Sequence, residues 1–419
     1  MAGGDAGVGA TALSTAGAGV FRGWWVVAAA FSVMFFAYGL QFSFGVFASA
    51  MAADLGWSRA ATALPYSIYV FLYSALSAAT GRATDRHGPR PVITIGAVLL
   101  GIGWGSSALV HEPWQLNITL GLIAALGMSV AWVPCNATVS RWFTRRRGTA
   151  VAMASCGGSL GNLLVPALAA AMITLWGWRW SLGLTAIVAA GAMLVAARFM
   201  LRDPESVGLW ADGEAEPPPA TALGPGRTLS EVCWTAPFLL LVAIYFMTWV
   251  PVFVPFVHVV SFAEDLGMSK GAAASVISAI GVGGLVGRLS SGVVSDRLGR
   301  IPALLAVFAL QALSFVMFAY ADGIATLWLA AMLFGFSYGG GVTLLPPLCG
   351  DLFGRAHVAA IVGMIFAVAG APAAIGPYVA GWLYDLNGSY SAAFLSSAAM
   401  NAAALALTMV LAWRGAHRE

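Results

Sequence analysis

The chain has 419 residues, 60% of them hydrophobic and only 9% charged, with a formal net charge of +3. Soluble domains carry about 25% charged residues, so the composition excludes a soluble globular protein and points to an integral membrane chain. The 50 glycines and 16 tryptophans fit that class, since glycine is frequent in membrane helices and tryptophan favours their interfaces.

Residues 1–22, rich in Gly, Ala, Ser and Thr, predict a disordered tail. They lack the basic segment and short apolar core of a cleavable signal peptide. Apolar runs long enough to span a bilayer, which takes about 20 residues, follow at 24–51, 61–80, 90–110, 114–139, 149–174 and 179–201. Six more lie at 235–262, 272–294, 302–320, 324–350, 358–383 and 391–413. Between the two sets, the polar stretch 202–233 with its AEPPPATALGPG segment reads as a linker rather than a domain. The predicted organisation is therefore a bundle over 23–201, a linker, a second bundle over 234–413 and a tail at 414–419. With the N-terminus inside, sixteen arginines fall on the cytoplasmic side and only Arg59, Arg179 and Lys270 outside, with Arg288 in the bilayer. That bias predicts a multi-pass protein of the cytoplasmic (inner) membrane with both ends cytoplasmic.

Two loops repeat one another. The loop after the second span contains Gly81, Asp85, Arg86, Gly88 and Arg90; the loop after the eighth contains Gly292, Asp296, Arg297, Gly299 and Arg300. Each reads Gly, three residues, Asp-Arg, one residue, Gly and then an arginine (after an extra Pro89 in the first), in register with the six-plus-six division. This pattern resembles the cytoplasmic-loop signature of the major facilitator superfamily. That resemblance implies an all-α integral membrane fold of twelve helices in two pseudo-symmetric six-helix bundles. It makes Asp85, Arg86, Asp296 and Arg297 conformational residues of the gate rather than substrate ligands.

Further stretches narrow the resemblance. Arg22-Gly23-Trp24-Trp25 opens the first span, Trp142-Phe143-Thr144-Arg145-Arg146-Arg147-Gly148 precedes the fifth, and Gly376-Pro377-Tyr378 to Asp385 closes the eleventh. With a buried arginine in the eighth span, these are similar to the monocarboxylate transporters and their bacterial oxalate/formate antiporter relatives. The similarity runs over the whole chain from about residue 22.

Arg288 stands inside GVGGLVGRLSSGVVS with no acidic residue within seven positions on either side. Ser295, seven residues on, marks the membrane edge, which puts Arg288 roughly 10 Å inside at about 1.5 Å per residue. A charge at that depth is costly and is by default a functional group; the other reading is a side chain snorkelling to the headgroups. The repeat gives an internal control: the 211-residue offset between Asp85 and Asp296 places Ser77 opposite Arg288, so the fold itself does not require arginine there. A guanidinium fork matches a carboxylate, and the resemblance puts the substrate carboxylate on Arg288. It also implies pocket aromatics at Tyr38, Phe42, Phe334, Tyr338 and Phe366. Phe42 and Gly284 stand where animal members carry a lysine and an aspartate, and the eleventh span lacks the second cation of oxalate carriers. One carboxylate on one arginine is the expectation.

His258 lies well inside the seventh span, and histidine is the side chain whose charge changes near physiological pH, which makes it the candidate proton site; an interfacial histidine is the alternative. No phosphate-binding loop, nucleophile–base pair or metal-ligand cluster is present, and the four cysteines, Cys135, Cys156, Cys233 and Cys349, show neither metal nor redox spacing. The sequence thus predicts no enzyme, no cofactor, no ATP and no nucleic-acid partner. It predicts a monomeric secondary transporter of a small monocarboxylate, lactate- or pyruvate-like, by proton symport. An organic-anion exchanger and a carboxylate-binding membrane sensor are the alternatives.

Overall fold

The computed structural model describes residues 21–57, 59–214, 226–268 and 270–416. The tail before Phe21, the proline-rich middle of the linker and the last three residues lie outside them. Among the described residues there is helix and connector but no strand.

The first half contains α1 (Arg22–Leu55), α2 (Arg59–His87), α3 (Pro89–Ser106) and α4 (Pro113–Trp142). A continuous stretch, Arg147–Ala197, follows them. It breaks at Gly177, whose φ of 75° and ψ of 164° no helix contains, and so divides into α5 (147–176) and α6 (178–197). The second half begins with α7, in two pieces, Ala236–Trp249 and Phe253–Asp265. The pieces part at Pro251, which has no N–H for the helical ladder. Then come α8 (Lys270–Leu298), α9 (Arg300–Ala319), α10 (Ile324–Phe353), α11 (Val358–Tyr384) and α12 (Ser391–Ala416).

Ten described stretches are long and apolar enough to cross a membrane. That set counts Arg147–Ala197 once and omits α2, whose end carries Arg82, Asp85, Arg86 and His87. Dividing the one and adding the other gives the twelve rods that the sequence predicts. Large apolar side chains such as Leu175 and Ile187 are about 70% exposed (72% and 70%), as lipid-facing surface requires.

Two helices are locally overwound or underwound. Asn117–Ala124 in α4 and Phe366–Gly370 in α11 form π turns, the second followed by a 3₁₀ turn at Ala371–Ala374. Pro372 removes a ladder donor there, and such local adjustments re-satisfy freed carbonyls inside a membrane. Turns of this kind frequently mark functional positions.

Glycines set the helix spacing. A Cβ on Gly287 of α8 would run into the Phe336 backbone of α10, and one on Gly335 or Gly339 of α10 would run into the backbone of α8 at Ile280 or Gly284. Small residues let membrane helices approach this closely. The repeated loop glycines have a separate cause. Gly88 (φ 85°, ψ 164°) and Gly299 (φ 93°, ψ 160°) turn the chain identically between α2 and α3 and between α8 and α9, in a region that only glycine occupies readily.

A pair of substitutions separates these effects. Gly287→Val forces a side chain against backbone that cannot yield, and overpacking of this type costs roughly 1–3 kcal/mol. Its melting temperature in detergent should fall by several degrees. Gly281→Ala, where a Cβ meets nothing within 4 Å, should leave the melting temperature unchanged or raise it slightly, since alanine is the better helix former.

Candidate anion site between the two halves

Arg288 lies on α8 where that helix faces the first half. Its guanidinium carbon sits 5.9 Å from the centroid of the Tyr338 ring of α10. Among the described residues it makes no ion pair. Its Nε is buried and has no hydrogen-bond partner. Ser77, the residue opposite it in the repeat, instead donates to the Gly363 carbonyl at 2.9 Å and ties α2 to α11. The same register therefore serves packing in one half and, in the other, holds a guanidinium that makes no ion pair among the described residues.

Aromatic rings surround the guanidinium. Tyr38 stacks on Phe42 at 6.1 Å and lies against the backbone of Gly158. Tyr73 of α2 meets Tyr69 edge-on at 5.4 Å. Phe366, in the π turn of α11, stacks on Trp132 at 4.9 Å and meets Trp249 edge-on at 5.2 Å and Tyr73 at 6.4 Å. Tyr38, Phe42, Arg288, Tyr338 and Phe366 are each half-buried.

Phe334 differs from the sequence expectation. It is 0% exposed, enclosed by Phe256, Phe315 and Phe318, and stacks under Tyr338 at 6.2 Å with the rings nearly parallel. One helical turn separates it from Tyr338, but the α9 side of α10 takes it into the core. In this conformation it supports Tyr338 and offers a ligand no surface. Tyr73, Trp132 and Trp249 are the additions. The first two are visible as amphipathic residues inside spans; Trp249 has only its place just before the Pro251 break as a signal.

His258 lies apart from this cluster. Its Nε2 donates to the Pro377 carbonyl of α11 at 2.9 Å, so its Nδ1, 3.2 Å from the Tyr390 hydroxyl, accepts when the ring is neutral. It couples α7 to α11 and to the start of α12.

The end of the bundle bearing the repeated loops is closed by two equivalent contacts. Asp85 accepts from the Ala360 N–H at 2.7 Å at the start of α11. Asp296 accepts from the N–H groups of Gly148 (2.9 Å) and Thr149 (2.8 Å) at the start of α5. Ala360 and Thr149 are themselves related by the 211-residue offset. Each aspartate thus satisfies free donors and the positive end of a helix in the opposite half. Their neighbours Arg86 and Arg297, expected to share this place, are instead exposed and form no ion pair among the described residues. Asp85 pairs with Arg141, Asp296 with Arg300, and Asp351 with both Arg147 and Arg300. Arg141 also donates to the carbonyls of Arg355 and Ala356 across the interface.

Elsewhere, a groove of about 420 Å³ lies between α1 and α6, lined by residues such as Trp25, Ala28, Phe36 and Phe199. It has no charged lining group and offers an anion nothing.

Comparison with known proteins agrees with this architecture. Mouse monocarboxylate transporter 11 is 31% identical over 383 residues, covering 89% of this chain and 83% of that protein. Rat monocarboxylate transporter 13 is 26% identical over 384 residues, covering 90% and 86%. Among solved structures, a bacterial homologue of the iron transporter ferroportin in an outward-facing state superposes with a TM-score of 0.71 at 16% identity, covering 94% of this chain and 100% of that one. The human organic anion transporter MFSD10 (TETRAN) gives 0.68 at 17% identity, covering 93% and 100%; at such identities these two likenesses speak for the fold alone. The Major Facilitator Superfamily profile matches residues 29–371 and 251–419. With its repeated loops, its twelve rods and its two halves meeting around one arginine, the chain belongs to the Major Facilitator Superfamily.

Proposed function

We propose that the chain is a secondary active transporter of a small monocarboxylate, working by alternating access. Arg288 is the observation that carries this reading. It is a guanidinium at the meeting of the two halves, with an unbonded Nε and no carboxylate partner among the described residues. Substrate sites of such transporters lie at the repeat interface near the bilayer midplane, and here the substrate itself becomes the counter-ion. The similarity to the rat and mouse monocarboxylate transporters supports the same class. Tyr38, Phe42, Tyr338 and Phe366 frame the anion. Asp85 and Asp296, with Arg141 and Arg300 rather than Arg86 and Arg297, hold the closed end, which we take as cytoplasmic. The protein then faces outward from the cytoplasmic membrane as a monomer, with both termini inside.

Coupling follows from charge. An anion entering against a negative interior is opposed by about 2.3 kcal/mol per charge per 100 mV, so uptake requires a co-moving proton or an exchanged anion. Proton symport is the reading we favour. Empty, the unpaired Arg288 makes reorientation costly; substrate neutralises it, and the proton travels on or near the substrate, with His258 as the candidate carrier. Anion exchange is the second reading, favoured by the lack, among the described residues, of any carboxylate paired with Arg288.

Uptake into proteoliposomes tests the site. Arg288→Ala should weaken monocarboxylate binding by roughly 2 kcal/mol or more, about thirtyfold, and Arg288→Lys should restore it only in part, because lysine lacks the two-donor fork. Full transport by Arg288→Ala at normal expression would reduce the arginine to a snorkelling residue.

Uptake should also rise as external pH falls and stop when the proton gradient is collapsed. Indifference to the gradient, with a requirement for internal anion, would establish exchange instead. Accumulation driven by pH in His258→Gln would remove that histidine from the mechanism.

Orientation is checked by cysteine labelling in a Cys233→Ser background, which removes the only native cysteine that is not buried. Glu112→Cys should react with an impermeant maleimide applied outside intact cells, and Ser206→Cys only after permeabilisation. The reverse pattern would invert the topology.

A further inference from the structure

The groove between α1 and α6 runs from Trp25 to Phe36 on one wall and from Gly191 to Phe199 on the other. Its one hydroxyl, on Ser32, already donates to the Ala28 carbonyl at 2.9 Å. The remaining lining side chains are aliphatic or aromatic. Eleven residues separate Trp25 from Phe36, which is about 16 Å of helix at about 1.5 Å per residue. Half of a hydrocarbon core about 30 Å thick has nearly the same depth, so the groove is as long as one leaflet. A Cβ on Gly191 would meet nothing within 4 Å. No neighbouring helix therefore requires glycine there, and its effect is to deepen the groove.

The groove itself has no charged lining group; charge stands just beyond one end. Arg22 precedes Trp25 by three residues and Ala29 by seven, so it shares the groove face of α1. Arg198, just past α6 and still helical (φ −65°, ψ −28°), follows Val195 by three and Gly191 by seven. The rings of Trp25 and Phe199 stack at 6.2 Å and draw these two helix ends together. Both arginines are exposed, and neither makes an ion pair among the described residues. Their end of the bundle is the one with the repeated loops, since nearby Arg202 donates to the Asp85 carbonyl at 2.7 Å. Trp25, 56% exposed, suits a membrane interface at this level.

An apolar slot one leaflet deep with two cations at its interfacial end matches a lipid in both length and charge. Inorganic phosphate would answer the cations and leave the slot empty; an uncharged chain would do the opposite. We propose that the groove binds one anionic glycerophospholipid, with an acyl chain between α1 and α6 and the phosphate at Arg22 and Arg198. The cytoplasmic leaflet carries the anionic lipids, and basic groups at that level recognise them. Both walls belong to the first half, so this site is independent of the reading of Arg288.

Photocrosslinking of the purified full-length protein in detergent tests the site. The probe is phosphatidylglycerol with a diazirine in one acyl chain, and adducts are located by peptide mass spectrometry. They should concentrate on residues 25–36 and 191–199. Unlabelled phosphatidylglycerol should displace the probe there at least about tenfold better than phosphatidylcholine. In the Arg22→Gln, Arg198→Gln double variant that preference should shrink toward one. Gly191→Leu puts a side chain into open space, so it fills the groove without a clash and should abolish adducts on both segments. Adducts spread evenly over the lipid-facing helices, or a preference unchanged in the double variant, would overturn the lipid site. Crosslinks between two copies through this face, in place of lipid adducts, would also overturn it and make the groove a contact between protomers.

Discussion

Each half of this protein carries an aspartate that reaches into the other half. Asp85 takes the N–H of Ala360 at the start of α11, and Asp296 takes those of Gly148 and Thr149 at the start of α5. A helix start presents unsatisfied donors and a positive partial charge, and a buried carboxylate needs donors in return. The two needs meet only while the halves are drawn together at this end. Gly81 and Gly292 make the approach possible, because a Cβ on either would run into the backbone of α11 or of α5. The architecture therefore has one end that closes by a small number of directional contacts rather than by a continuous apolar seam. Contacts of that type can be exchanged for water without tearing a core, which suits an interface between two states.

At the level of Arg288 the two halves meet differently. The pseudo-symmetry that places Ser77 opposite it shows what an ordinary residue does in this register: it hydrogen-bonds to the neighbouring helix and closes the gap. Arginine does not close the gap. It leaves a charge facing aromatic rings, and phenol and indole rings accommodate a guanidinium without neutralising it. The result is a guanidinium that makes no ion pair among the described residues.

Tyr338 connects the site to the core beneath it. Phe334 lies parallel under it, held by Phe256, Phe315 and Phe318. Glycines at 335 and 339 bring the same helix against α8, so the ring and the guanidinium sit on two rods whose separation is fixed. A change in the α8–α10 distance would be felt directly at the Arg288–Tyr338 contact.

Much of this was legible along the chain. Apolar run length and sparse charge determined the class and the order of the spans, since a bilayer imposes length and backbone satisfaction on every segment. The loop repeat located the equivalent ends of the halves, because only glycine takes the turn at Gly88 and Gly299. Arg288 stood out because no acid lies near it in sequence. That it makes no ion pair among the described residues is a tertiary fact, as is the pairing of the aspartates with Arg141 and Arg300 rather than with Arg86 and Arg297. Likewise, the i, i+4 spacing put Phe334 and Tyr338 on one side of α10, but the rotation of that helix against α9 decided that one ring is core and the other faces the cation. Periodicity fixes which residues share a face. What that face meets depends on crossings between helices far apart in sequence, and those are set by packing that no single segment contains.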